Sequence, residues 1–257
     1  MEIFGEHELT PCPSLVPRGM HSHETCEILL VLSGDVEFRV EGSTYWMKPG
    51  DLVLMRRGEV HIPRIRSAVP YERMHVNFDL EDVVGTIGGR ELLSVFDDRP
   101  LGRWNHYPAA LFPENRWQEY LTKLLAAPTA SLRLSYLLPL LGDLSAAAPL
   151  LREKKESRGA DRLQEVLDYV NANLGGELST ELLCRRFFIS KTHLNRLFRA
   201  ATGTTPWEYV TVKRLFLARR LLQEGLRPGE VYGRCGFGDY TTFFRAYKKR
   251  FGIGPKG

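Results

Sequence analysis

Arg196 and Arg245 stand 49 residues apart at the same place in two copies of one pattern, and arginine is the side chain able to grip a guanine edge with two parallel hydrogen bonds. The first copy runs from Ser190 to Pro206 and the second from Asp239 to Pro255. In register, Leu194 falls on Phe243, Phe198 on Tyr247, Gly203 on Gly252 and Pro206 on Pro255, so one supersecondary unit has been duplicated. In the helix expected from Lys191 onward, Leu194, Leu197 and Phe198 share the inward face. Lys191, Thr192, Asn195, Arg196 and Arg199 are left outward. Asn195 adds a side chain that can pair with adenine in the same two-bond manner. In the second copy Tyr240, Thr241, Phe244 and Arg245 take the outward positions, with Lys248, Lys249 and Arg250 just behind. A single such helix is better read as a solvated face; its repetition changes that balance and implies two grooves of double-stranded DNA.

Reading two grooves requires helices held at a fixed spacing, and the surrounding residues supply them. Leu163, Val166, Leu167, Val170 and Leu174 recur at helical spacing and predict a supporting helix over Arg162–Leu174. Ser179 is placed to cap a short helix through Arg186, Phe187 to Ile189 make a turn, and Ser190 caps the helix that follows. Pro206 suits the first turn of a long helix over Trp207–Glu224. At ~1.5 Å per residue that strut is ~27 Å long, close to the ~34 Å between successive major grooves on one face of DNA. Gly225 ends the strut, Pro228 opens the next helix, and Cys235 to Asp239 form the second turn.

Charge divides along the chain in the same way. From Arg158 onward there are eighteen Lys and Arg against nine Asp and Glu, leaving the C-terminal part near +9 and the remainder near −5 within a whole-chain charge of +4. A basic half fits phosphate binding. The four cysteines, Cys12, Cys26, Cys184 and Cys235, are far apart with no Cys-x-x-Cys pair, which argues against a zinc ribbon or a redox motif and for reduced thiols. No apolar run is read as reaching the ~20 residues that span a bilayer, and the first residues have no signal-peptide pattern, so the expectation is a cytoplasmic protein with no membrane partner.

The string Gly236-Phe237, Asp239, Phe243, Arg245, Tyr247-Lys248-Lys249, Gly252 and Pro255 resembles the DNA-binding domain of the AraC/XylS family of transcription regulators, over about Asp161 to the end. The resemblance implies that the helices beginning at Lys191 and Tyr240 enter adjacent major grooves. By position, Thr192, Asn195 and Arg196 would contact DNA in the first and Tyr240, Thr241, Phe244 and Arg245 in the second. Three departures stand out. Tyr232 replaces a small residue between packed helices, apolar Phe244 faces outward, and the ending at Gly254–Gly257 is short, which predicts a frayed final helix.

Toward the N-terminus, short strands alternate with glycine-containing turns: Glu27–Leu32, Val36–Val40, Ser43–Met47, Leu52–Met55 and Tyr71–Phe78. This spacing favours a small β barrel. His21-x-His23 with Glu27 and Gly34, then Pro49-Gly50-Asp51 and His61, resembles the two boxes of a cupin barrel, the effector-sensing domain that precedes the DNA-binding domain in many AraC-type regulators. That resemblance implies a divalent metal on His21, His23, Glu27 and His61, although Arg56 departs from the second box. The alternative is a metal-free polar lining, without any cofactor, that binds an effector through Arg18, His21, His23, Glu27, Trp46, His61 and either the Arg73/His75/Asn77 or the Met74/Val76/Phe78 face of its strand. Such a lining suits a carbohydrate.

Two leucine-rich helices, Asn115–Leu125 and Leu132–Leu151, follow, for covering the barrel or for homodimerisation. The whole therefore reads as a two-domain α+β chain. An N-terminal cupin-like antiparallel β barrel with a helical appendage precedes a C-terminal all-α domain with two helix-turn-helix units in seven helices. The expected segments are 1–112 for the barrel, 113–151 for the helices, 152–160 for a charged linker and 161–257 for DNA binding. The function expected is a non-enzymatic, effector-responsive transcription regulator whose partners are DNA, a small molecule, RNA polymerase and a second copy. The other reading is a metal-dependent cupin enzyme, an isomerase or dioxygenase, carrying an accessory nucleic-acid domain.

Overall fold

In the computed structural model, which describes residues 3–15, 21–86, 88–112, 115–152 and 161–256, the backbone divides into two units, Met1–Arg158 and Gly159–Gly257. The described residues of the first hold eight strands: β1 (Phe4–Thr10), β2 (Cys26–Ser33), β3 (Val36–Val40), β4 (Ser43–Met47), β5 (Leu52–Met55), β6 (His61–Ile65), β7 (Tyr71–Phe78) and β8 (His106–Tyr107). They form two antiparallel sheets, one ordered β1-β7-β2-β5-β8 and one ordered β4-β3-β6. Among the described residues no strand pairing closes these sheets into a single cylinder, so the expected barrel is two facing sheets. Strands β1, β6 and β8 were not foreseen. Pro63 interrupts the residue pattern of β6, and β8 has only two residues.

Strand alternation decides what each sheet face does. From Cys26 to Val31 strand β2 is buried on both sides. Ile28 and Leu30 join a core with Met74, Val76 and Phe78, while Leu29 and Val31 join Phe38, Val40, Val53 and Tyr71 between the sheets. The first core is completed by helices: α1 (Leu80–Val84), α2 (Gly89–Leu92), α3 (Ser94–Asp97), α4 (Arg116–Ala126) and α5 (Ala130–Arg152). Trp117, Leu121 and Leu124 of α4, with Leu137, Leu140, Leu141 and Leu144 of α5, are buried there. The leucine stripes thus cover their own sheet. Contrary to the sequence reading, α5 is long and apolar enough by composition to cross a bilayer, but those four leucines are spent on the core.

A buried ion pair fixes the loop between β5 and β6 to the segment after α3. Glu59 is fully buried and receives Arg99 through two bonds of 2.9 and 2.7 Å, together with the Gly102 amide at 2.9 Å and the Asn105 amide at 2.9 Å. Burial alone would raise the Glu59 carboxyl, but the Arg99 charge and these hydrogen bonds outweigh it and hold it at about 2. At the Cys26 and Cys235 thiols burial outweighs the nearby arginines and pushes both up to about 12.

The second unit consists of six described helices, one fewer than expected: α6 (Asp161–Ala172), α7 (Thr180–Phe187), α8 (Lys191–Thr202), α9 (Pro206–Gln223), α10 (Pro228–Arg234) and α11 (Tyr240–Phe251). The linker expected at 152–160 lies, after Arg152, outside the described residues. The caps expected at Ser179 and Ser190 are present, and Asp239 and Thr205 add two that the sequence reading did not name. Ser179 accepts from the Leu182 amide, Ser190 from His193, and Asp239 from Thr242, while Thr205 and Glu208 form a reciprocal capping box. Helix α11 does not fray: Gly252, at φ +76°, closes it with its amide on the Lys248 carbonyl.

Candidate functional site

Strand alternation brings most of the sequence-selected polar residues into one cavity of about 230 Å³ between the two sheets of the first unit. His21, His23, Glu27, His61 and His75 line it, with Arg73, Tyr71, Phe38 and Thr10. Because Met74, Val76 and Phe78 are taken by the core, the opposite face of β7 is the one that presents Arg73 and His75. Glu27 and Leu29 on β2 pair with Asn77 and His75, which sets the carboxylate beside the imidazoles.

The geometry is tight. The ligating atoms of His21, His23 and His61 all lie within 4.8 Å of one another. The Glu27 carboxylate is 3.1 Å from His23 Nε2 and 3.5 Å from His61 Nε2. Burial would raise that carboxyl, yet hydrogen bonds and charge from His23 and His61 hold it well below the usual carboxylate range. His61 Nδ1 lies 2.9 Å from the Glu59 carbonyl, which makes Nδ1 the donor and presents Nε2 to the cavity. Three imidazoles and a carboxylate so placed fit a divalent cation. Deeper in, Arg73 bonds Glu8 through Nη2, while Arg73 Nη1 and His75 Nδ1 are buried without a hydrogen-bond partner among the described residues. Buried polar atoms of this kind call for a polar ligand or water.

Three expected lining residues are not in the described cavity. Trp46 is on the outer face of β4, 58% exposed, because Met47 takes the inner face; Arg66 lies 5.0 Å over its ring. Asn77 is buried and donates to Thr25 Oγ1 at 3.2 Å. Arg18 falls outside the described residues. The lining of Tyr71, Phe38 and Thr10 went unrecognised, since Thr10 belongs to the unforeseen β1 and the other two were read only as members of strands.

In the second unit the outward residues are where helical spacing puts them. On α8, Lys191, Thr192, Arg196 and Arg199 are exposed and Asn195 is half-buried, its amide turned back to the Lys191 carbonyl at 2.9 Å. On α11, Thr241, Phe244, Arg245, Lys248 and Lys249 are exposed. Tyr240 is half-buried in an aromatic cluster, its ring 5.9 Å from both Tyr232 and Phe243. The large residue at position 232 is therefore accommodated by edge-on packing against the start of α11. A groove of about 960 Å³ runs past Tyr240, Arg227 and Lys256, but it is more open than the cavity between the sheets and lacks its converging polar groups.

Comparison with known proteins matches both units. A family described as the AraC-like ligand binding domain covers residues 16–167, and a helix-turn-helix domain family covers 183–257. The transcriptional activator RhaR of Cronobacter sakazakii is 26% identical over 92% of this chain and 84% of its own length. The probable transcriptional regulator LumQ of Photobacterium leiognathi is 33% identical over 41% of this chain, and the transcriptional activator RhaS of Citrobacter koseri 30% identical over 42%. The chain spans less than half the length of these two, 42% and 40%. Among solved structures, ToxT of Vibrio cholerae aligns over 99% of this chain and 96% of its own at 10% identity, with a TM-score of 0.45.

Proposed function

Since the chain belongs to the AraC family of ligand-responsive, DNA-binding transcription regulators, a family without enzymatic activity, we propose that a small polar effector in the cavity of the first unit governs how α8 and α11 engage DNA. The observation that carries this reading is the partly open cavity of about 230 Å³ with Arg73 Nη1 and His75 Nδ1 unpartnered among the described residues. A monosaccharide-sized molecule suits it. Glu27, Arg73 and the imidazoles offer charge-assisted bonds to hydroxyls, and Phe38 and Tyr71 offer flat apolar surface. A divalent cation, if bound, is held by His21, His23, Glu27 and His61 and supplies a Lewis-acidic contact for an effector oxygen.

The effector acts by differential affinity. It favours whichever arrangement of the regulator binds it more tightly, and DNA binding follows that population. Two copies on paired half-sites, in the cytoplasm and in contact with RNA polymerase, complete the reading. The α5 surface left exposed by the core, including Leu132 and Leu150, is available for a second copy.

A thermal-shift screen of the full chain against monosaccharides, sugar acids and aromatic acids, each with and without chelator, tests it. A ligand at about 100 times its dissociation constant stabilises by about 2.7 kcal/mol. A sugar that shifts melting and changes affinity for DNA supports the proposal. An aromatic acid as the one active compound overturns the sugar assignment, and chelator-dependent turnover of any compound reopens the enzyme reading.

A further inference from the structure

Phe188 occupies the turn between α7 and α8 in a way that the turn does not require. It is the C-cap of α7 at φ 52° and ψ 46°, the left-handed region that disfavours bulky side chains, and its ring is 88% exposed. The second helix-turn-helix closes its first helix with the same hydrogen bond, offset by 48 residues, and then takes one residue more, Gly238, before the next N-cap, which restores the 49-residue register of the helices. Ile189 bonds its amide to the Cys184 carbonyl five residues back, as Phe237 does to Tyr232. The residue equivalent to Phe188 is therefore Gly236, at φ +75°. One copy uses the residue suited to this backbone, whereas the other holds a phenyl ring in strain and sets it in water.

The surroundings indicate what meets that ring. Arg185 and Arg186 of the last turn of α7 are exposed on one side in sequence, and Ser190, Lys191 and Thr192 at the start of α8 on the other. Basic residues thus flank the ring in sequence, Arg185 exposed, Arg186 4.3 Å over the Tyr169 ring and Lys191 3.6 Å from the exposed Glu181 carboxylate, and an apolar side chain among cations suits a polyanion that also has apolar surface. The sugar edges of DNA between phosphates are such a surface.

We propose that Phe188 packs against the deoxyribose backbone of the DNA strand flanking the groove entered by α8, while Arg185 and Lys191 meet the adjoining phosphates. The inference rests on the DNA-binding reading of this unit. Phe188 then adds affinity without reading sequence, and because an apolar contact releases no counterions it leaves the salt dependence of binding unchanged.

The test uses the full chain and a 30-base-pair duplex that the wild type selects from a randomised pool, beside a scrambled duplex. Phe188→Gly and Phe188→Asn both suit the left-handed turn, so both variants should melt at or above the wild-type temperature. Affinity should fall about fivefold or more on both duplexes, the effect of uncovering part of a phenyl ring. The slope of affinity against salt should stay as in the wild type, whereas Arg185→Ala should flatten it by about one ion. Undiminished DNA affinity in Phe188→Gly overturns the proposal. The same result with reduced transcription in a reconstituted assay assigns the ring to RNA polymerase instead. If the wild type selects no duplex while Arg196→Ala behaves identically, the DNA-binding reading itself falls, and this inference with it.

Discussion

Arg214 of α9 and Gly236 of the second turn are locked together. The guanidinium donates to the Gly236 carbonyl at 2.6 Å while also holding the carbonyls of Leu174 at 2.9 Å and Gly176 at 2.7 Å. One buried side chain thus ties the segment between α6 and α7 to the turn before α11, through the helix that joins the two reading units. A Cβ on Gly236 would fall 2.6 Å from Arg214 Nη2.

Gly236→Ala therefore combines strain at φ +75° with displacement of the guanidinium. It should destabilise the second unit by about 2–3 kcal/mol, read by chemical denaturation. Arg214→Met should do comparable damage by leaving three carbonyls without their donor. An unchanged midpoint in both variants would show that the lock is not needed.

Arg73→Met removes the buried guanidinium from the cavity, together with its packing 5.1 Å over the Tyr71 ring and its bond to the half-exposed Glu8. Global stability should fall by about 1–3 kcal/mol, the cost of losing a hydrogen bond to a charged group, read by chemical denaturation. The melting shift produced by the effector should disappear. A variant that still responds fully to the effector places binding outside the cavity.

The DNA-facing half was readable in the sequence because its signals are local. Ser179 and Ser190 cap helices through contacts three residues away, Pro206 opens the long helix at its first position, and helical spacing alone separates Leu194 from Arg196. In the sheet unit, function depends on pairing between distant residues. Whether His75 or Met74 faces the cavity follows from their β7 partners on β2 and from a core completed by α4 and α5, none of which residue spacing states. Trp46 looked like a stacking platform by residue type, but alternation against Met47 turns it outward. The Glu59–Arg99 pair joins residues forty apart and left no motif to find.

Acid should weaken the first unit. Glu59 is held at about 2 in the fold against 4.5 ordinarily, and Glu27 is also depressed. A carboxyl with a lowered folded pKa contributes stability that is fully present above its unfolded pKa and is lost as pH falls through the folded one. Denaturation followed from pH 7 downward should show constant stability to about 5 and then a decline toward about 2. Glu59→Gln strands the buried Arg99 charge and should cost about 3–5 kcal/mol near neutral pH while flattening that decline. A wild-type profile that stays level to pH 2 contradicts the assigned pair.

The two arginines at equivalent places in the repeated helices provide the sharpest test of the DNA-facing surface. Arg196 and Arg245 are both exposed on helices whose opposite faces are buried through Leu194 and Phe198 in one case and Phe243 and Tyr247 in the other, so alanine at either should leave the fold intact. If each reads a base edge, its loss costs about 1–3 kcal/mol on the selected duplex, relaxes base preference at one position, and barely changes binding to scrambled DNA. If each instead meets a phosphate, affinity falls alike on both duplexes and the salt slope drops by about one per arginine. Independent reading heads should give losses that add in the double variant. A double variant no weaker than Arg196→Ala alone would mean that α11 does not reach DNA when α8 is displaced, and that the second copy of the pattern depends on the first.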